Sequence, residues 1–266
     1  MRDGSYKEVQ INSKQLLDLL DEHPAIIYGD EKYGKTSLAR MLYLESLKKG
    51  DCPVYVNGSD IKHKFVENSQ KLIEKCFDNQ YCNDSKIEFD QLDYRSKLII
   101  VDDFDKINIP IRLREKLLSN LFTMYPNTII FGSNLLELQD FISADNESIL
   151  KKNVKQYRLK KFGYGLRNDL IHKWNILGNE QYEGDNEIIV KDEETFRRMN
   201  ILIGKNYIPS VPFYLLIILQ AFEMDNENNF NDSAYGYYYE FLILQTLNKI
   251  SSKQGDKAVS YTHLTL

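Results

Sequence analysis

Gly29-Asp30-Glu31-Lys32-Tyr33-Gly34-Lys35-Thr36 stands between two stretches of opposite character. Before it, Ala25-Ile26-Ile27-Tyr28 is a brief apolar run, too short for a helix and stopped at once by glycine, which predicts a buried parallel strand. After it, residues 36–49 place Leu38, Met41 and Leu42 at helical spacing, continue through Leu44 and Leu47, and stop at Gly50, a favoured residue just past a helix. Strand, loop and helix in that order turn the spacing G-x-x-x-x-G-K-S/T into a phosphate cradle. Glycine at both ends lets the backbone wrap tightly, so that the N–H groups from Lys32 to Thr36 turn toward one point, where the helix N-terminus adds partial positive charge. Lys35 supplies a mobile full charge for β- and γ-phosphates. Thr36 offers a hydroxyl oxygen to Mg²⁺, whose other ligands are water and phosphate oxygens. Gly29, Lys32, Tyr33, Gly34, Lys35, Thr36 and Ser37 are therefore the candidate nucleotide contacts.

Leu98-Ile99-Ile100-Val101-Asp102-Asp103 is the second motif, an apolar, β-branched run ended by two carboxylates. With Lys97 it is the most strand-like segment of the chain and is expected at the centre of the sheet. Asp102, the first carboxylate past the apolar run, is placed to hold Mg²⁺ through a water, and Asp103 to orient or deprotonate an attacking water. A glycine turn ahead of an ordinary helix, or acidic residues ending a strand at the surface, would explain either motif alone. Their joint presence in this order points to a nucleoside triphosphate, with ATP ahead of GTP.

Working outward, residues 10–22 read as a short amphipathic helix with Asn12 or Ser13 as N-cap and Pro24 ending it. Residues 53–56, 128–132 and 156–159 read as further strands, the last at or near an edge, and residues 60–77 and 111–124 as helices. Strands alternating with helices predict an α/β fold with a doubly wound, mainly parallel, five-stranded sheet, whose ligands lie at the carboxyl ends of the strands. From Tyr164 onward strand signals thin out. Residues 166–177, 193–203, 213–222 and 235–250 have helical patterning, with Pro212 opening the third and a polar loop over 225–232. The expected division is a nucleotide-binding domain over 1–162, then a helical lid over 163–258 that runs into a further helical or winged-helix region.

The 266 residues are 42% hydrophobic and 27% charged, enough apolar material for one large core or two smaller ones. A formal net charge of −5 argues against a dedicated nucleic-acid surface. Three cysteines and four histidines lie scattered, without the spacing of a disulfide framework or a zinc site. No apolar run approaches the roughly 20 residues that span a bilayer, and residues 1–7 lack the apolar stretch of a signal peptide, so a cytoplasmic location is expected. Trp174 reads as core, Tyr237 to Tyr239 as residues packed on the lid, and Lys151, Lys152, Lys155, Lys160 and Lys161 as a solvated basic face. Arg40, Arg112 and Arg114 are unranked candidates for an arginine finger. Val259-Ser-Tyr-Thr-His-Leu-Thr-Leu266 is similar to the translation of a transposon adapter used in sequencing libraries, which implies that the native chain continues beyond Ala258.

The chain resembles the STAND class of signalling P-loop ATPases, relatives of the NACHT and AAA+ families found in bacterial antiphage systems. The residues that carry the resemblance are Gly29 to Thr36, Val101-Asp102-Asp103-Phe104-Asp105, Tyr157 to Phe162 leading to Ile171-His-Lys-Trp174, and Pro209-Ser-Val-Pro212. It implies an ASCE-type order of the P-loop sheet and a helical lid. It also implies that a lid proline approaches the adenine, which makes Pro212 a candidate; the alternative is a proline at the first turn of a helix. A polar sensor residue follows the fourth strand in such families, here Ser133 or Asn134, where relatives place an arginine. The expected activity is that of an ATP-dependent switch with slow hydrolysis. Its partners would be adenine nucleotide and either further copies of the chain or fused effector and sensor domains, with neither membrane nor nucleic acid among them. The rivals are a cycling AAA+ motor or DNA-linked helper ATPase, and a nucleotide-binding scaffold without hydrolysis.

Overall fold

The computed structural model describes residues 9–20, 23–81, 86–133, 154–177, 185–204 and 208–224. Asn134, Lys151, Lys152, the expected loop at 225–232, the helix at 235–250 with Tyr237 to Tyr239, and the segment 259–266 lie outside them. By its internal contacts the chain divides into two units, Met1–Lys160 and Lys161–Leu266.

The first unit is built on five strands: β1 (Ala25–Tyr28), β2 (Cys52–Asn57), β3 (Lys97–Asp102), β4 (Thr128–Gly132) and β5 (Lys155–Arg158). They pair in the order β2-β3-β4-β1-β5, every pair parallel. β3 is therefore interior but not central, because β4 inserts between it and β1 and takes the middle position. Side chains alternate across each strand, so the sheet needs cover on both faces. On one face Ile26, Val54, Val56, Ile99, Val101 and Ile130 join a core with residues of α3 (Ser69–Gln80) and α5 (Ile111–Met124). On the other, Ala25, Ile27, Leu98, Ile100, Ile129 and Phe131 pack with α1 (Leu16–Leu20) and α2 (Lys35–Lys49). Complete burial of residues such as Ile99 and Ile100 contributes roughly 1.5–3 kcal/mol apiece.

Three expected helices differ in detail. The first begins as a 3-10 turn at Ser13–Gln15, with α1 following. α2 buries Lys35, Ala39, Leu42 and Ser46, whereas Leu44 and Leu47 are exposed: the inward stripe is narrower than the apolar pattern suggested. Its end at Gly50 is as expected, with a φ of 87° that glycine adopts without steric cost. The stretch expected as one helix from 60 is broken. Short 3-10 turns occupy Gly58–Asp60 and His63–Phe65, and α3 starts only after Asn68, whose side chain accepts from the Lys71 N–H and caps the helix. A short α4 (Lys86–Gln91) precedes β3.

In the second unit, α6 (Tyr164–Ile176), α7 (Asp185–Gly204) and α8 (Pro212–Met224) share a core of Ile171, Met199, Leu202, Leu215, Ile218 and Phe222. α7 starts eight residues before the expected 193, and its first two turns include Ile189 and Val190, both exposed. Asp192 of α7 ties it to α6 through the His172 ring at 2.7 Å and the Asn175 amide at 2.8 Å. Trp174 packs against this core, and its indole nitrogen is buried without a hydrogen-bond partner. Among the described residues no helix is long and apolar enough to cross a membrane.

Candidate functional site

All five strands point the same way, so their carboxyl ends meet at one edge. Gly29 follows β1, Asp102 ends β3, Ser133 follows β4, and Leu159 follows β5. The edge is knitted by main-chain bonds: the Gly29 N–H donates to the Gly132 carbonyl at 3.3 Å, and the Leu159 N–H to that of Tyr28 at 2.8 Å.

The loop from Gly29 to Gly34 leaves β1 and enters α2. Lys32 and Gly34 both have positive φ, 69° and 89°, and this reversal turns successive amides inward. No side chain caps the start of α2, so its first N–H groups have no side-chain acceptor. Tyr33 flanks the loop half-buried, its hydroxyl pushed above the ordinary range by burial and by Asp30. Thr36 is half-buried in the first turn and Ser37 is exposed.

Lys35 is not the mobile arm that the sequence suggested. It is the first residue of α2, only 9% exposed, and its ammonium donates to the Gly29 carbonyl at 2.6 Å and the Asp30 carbonyl at 2.9 Å. Burial pushes the ammonium below its usual range, and the carboxylates of Asp105, Asp103, Asp102 and Asp30 resist that shift.

Asp102 reaches the same place by the parity of β3. Leu98 and Ile100 face α2, so Asp102, two residues further on, projects toward the start of that helix. It is 1% exposed; Oδ1 accepts from the Asp103 N–H at 2.9 Å and Oδ2 from the Tyr55 hydroxyl at 2.6 Å. That tyrosine is half-buried on β2, and its own pKa is driven far up by burial and by this bond. Asp103 leaves the strand with a φ of 54°, a left-handed conformation that aspartate tolerates better than most residues, and its Oδ2 accepts from Lys106 at 2.8 Å. Asp105 carries a buried carboxylate oxygen, Oδ1, with no hydrogen-bond partner.

The expected residues Gly29, Lys32, Tyr33, Gly34, Lys35, Thr36, Asp102, Asp103 and Ser133 thus lie on the loop and strand ends of one sheet edge. Pro212 is the first residue of α8 in the second unit, and Asn134 is outside the described residues. Arg114 staples its own loop, donating to the carbonyls of Ile107 and Ile109, while Arg40 and Arg112 are exposed. Tyr55, Gly58 and Lys106 escaped the sequence reading. Their roles depend on the β2–β3 register and on the turn after Asp102, which no spacing rule exposes.

Residues 25–130 match the family described as ATPase family associated with various cellular activities (AAA). No curated protein matches the chain. Among solved structures the chain is similar to the Aeropyrum pernix ORC2 protein, solved as ADPNP–ADP complexes, at 13% identity and a TM-score of 0.56, over 90% of this chain and 70% of that one. That likeness is one of fold. Weaker similarity extends to C. elegans PCH-2 (13% identity, TM-score 0.43, 88% of this chain and 66% of that one) and to domain III of the Thermotoga maritima replication initiation protein DnaA (14%, 0.43, 86% and 89%). The chain spans just under two thirds of the length of PCH-2. The residues that match this family model, 25–130, run through four of the five strands of the all-parallel sheet and carry both the loop after β1 and the carboxylates after β3.

Proposed function

We propose that the chain binds ATP with Mg²⁺ at the loop from Gly29 to Thr36 and hydrolyses it slowly, acting as a nucleotide-dependent switch of the STAND type. The observation that supports this best is the convergence of Lys35 and Asp102: two buried, oppositely charged groups from α2 and β3 at the carboxyl edge of a parallel sheet. The amides of the loop and of the uncapped start of α2 donate to phosphate oxygens, and Lys35 exchanges its two carbonyl acceptors for them. The residues present fit Mg²⁺ as a nucleotide-borne cation, with the Thr36 hydroxyl as a direct ligand and the Asp102 carboxylate holding a bound water. Held by Thr36 and Asp102, the ion would supply positive charge against the charge that develops in transfer. Asp103, or Asp105 with its unpartnered oxygen, orients the attacking water, and Ser133 or Asn134 senses the γ-phosphate.

In this reading the nucleotide state biases assembly or effector release, and hydrolysis resets it. The chain would work in the cytoplasm beside fused domains or further copies of itself. A second reading, a cycling AAA+ motor or DNA-linked helper ATPase, is favoured by the AAA match over residues 25–130 and differs in its partner. Calorimetric titration with Mg²⁺-ATP, followed by turnover with and without DNA, tests both. Tight binding with slow turnover indifferent to DNA supports the switch, and stimulation by DNA supports the helper. Binding without turnover would reduce the chain to a scaffold, and no binding at all would remove the site.

A further inference from the structure

A carboxylate as buried as Asp102 is oriented by whatever donates to it. One of its two donors among the described residues, the Asp103 N–H, is main chain and would be supplied by any residue but proline at that position. The other is the Tyr55 hydroxyl, a side chain from the neighbouring strand. In the parallel register Tyr55 lies opposite Ile100 and Asn57 opposite Asp102, so Tyr55 starts two residues short of the carboxylate on the same face of the sheet. Two residues are about 6.6 Å along a strand, a reach that suits a tyrosine ring with its hydroxyl. The main chain at this one position is fixed as well. Gln80 of α3 accepts from the Tyr55 N–H at 2.9 Å and donates to the Tyr55 carbonyl at 2.7 Å, clamping the outer side of edge strand β2 where the ring departs. The ring packs on the apolar face shared with α2.

We propose that Tyr55 is a positioning residue of the nucleotide site: its hydroxyl holds the Asp102 carboxylate in the rotamer that presents a free lone pair on each oxygen to water around nucleotide-bound Mg²⁺. A carboxylate has about four lone-pair directions, and the two protein donors fill one on each oxygen. The remaining two then have fixed directions, and a metal-bound water meets a preorganised acceptor instead of one that rotates. This inference rests on the nucleotide-site reading above.

The test uses the full chain with Tyr55→Phe, which keeps the ring and removes only the hydroxyl, together with Asp102→Asn and the double variant. ATP binding is measured by calorimetry in EDTA and across a Mg²⁺ series. Tyr55→Phe is expected to bind metal-free ATP within about twofold of the parent, while the Mg²⁺ concentration that half-saturates the metal-dependent gain rises on the order of tenfold, the worth of one hydrogen bond to a charged group. In the Asp102→Asn background the same change is expected to add nothing further. An unchanged Mg²⁺ requirement, an equal loss with and without metal, or a further loss in the Asp102→Asn background would each overturn the proposal. A parent that shows no Mg²⁺-dependent ATP binding overturns the nucleotide-site reading and Tyr55 with it, a failure seen before any variant is compared.

Discussion

Gly58 lies against the turn after β3 so closely that a Cβ at position 58 would sit 2.1 Å from the carbonyl oxygen of Asp103 and 2.8 Å from its carbonyl carbon. Both neighbours are main chain, so neither can rotate away. Gly58→Ala must push the Asp102–Asp103 turn out of place, with an expected loss of about 1–3 kcal/mol of stability as for other overpacked sites. ATP turnover should fall with it. Urea midpoints and turnover measured together check this, and an alanine variant that matched the parent in both would show that the turn shifts freely.

Asp102 and Asp103 should fail in different ways. Asp102→Asn is expected to weaken metal-dependent ATP binding and abolish turnover together. Asp103→Asn keeps side-chain size and removes a base, so ATP should still bind while hydrolysis drops by roughly 10²–10⁴-fold. Its Lys106 partner is 63% exposed, and losing that pair should leave the fold intact. Single-turnover rates with radiolabelled ATP separate the two, and parental hydrolysis by Asp103→Asn would transfer the water-orienting role to Asp105.

Lys35→Met should lose most ATP affinity yet leave a folded chain, and its stability should carry a signature in pH. The folded pKa of Lys35 lies below its ordinary value of 10.5, so between the two values the unfolded chain binds more protons than the folded one. Stability of the parent therefore rises with pH across that window on account of this group, and the penalty is fully present below it. The advantage of the methionine variant is expected to be largest near neutrality and to shrink as pH nears 10.5. Paired urea titrations from pH 7 upward would expose a constant difference, which would mean that the ammonium is not desolvated.

Asn68→Ala should cost about 1 kcal/mol by uncapping α3. Because α3 also carries Gln80, which clamps Tyr55, fraying at Asn68 should stay at the far end of the helix and leave Mg²⁺-ATP binding unaltered. Hydrogen exchange of the amides from Ser69 to Leu72 would report the local opening, and protection equal to the parent would remove Asn68 as a cap.

What could be read from the sequence was whatever depended on local pattern. The apolar run at Ala25 to Tyr28, the glycines at 29, 34 and 50, and the limits of the helix at 111–124 are set by residues within a few positions of one another. The start of α3 was misplaced because Asn68 competes with the apolar pattern as a cap and wins. The stripe on α2 was misread because Lys35 and Ser46, polar residues, take inward positions while Leu44 and Leu47 stay in solvent. β3 is expected at the centre because it is the most strand-like run, but strand order is a long-range property. Tyr55 escaped for the same reason, since its link to Asp102 spans 47 positions. In the loop itself, the type of each residue was legible, while the pinning of Lys35 by two carbonyls was not.

The insertion of β4 between β1 and β3 makes it a spacer of fixed gauge. Neighbouring strands sit about 4.8 Å apart, so the main chains at the ends of β1 and β3 are separated by two such steps, about 9.6 Å, whatever side chains either strand carries. That distance is quantised: it changes only by adding or deleting a whole strand, never by degrees. Substitutions at the strand ends can therefore swap one carboxylate, hydroxyl or amide for another while the frame that separates them stays put. The part of the chain most open to change in chemistry is thus mounted on the part least able to change in dimension.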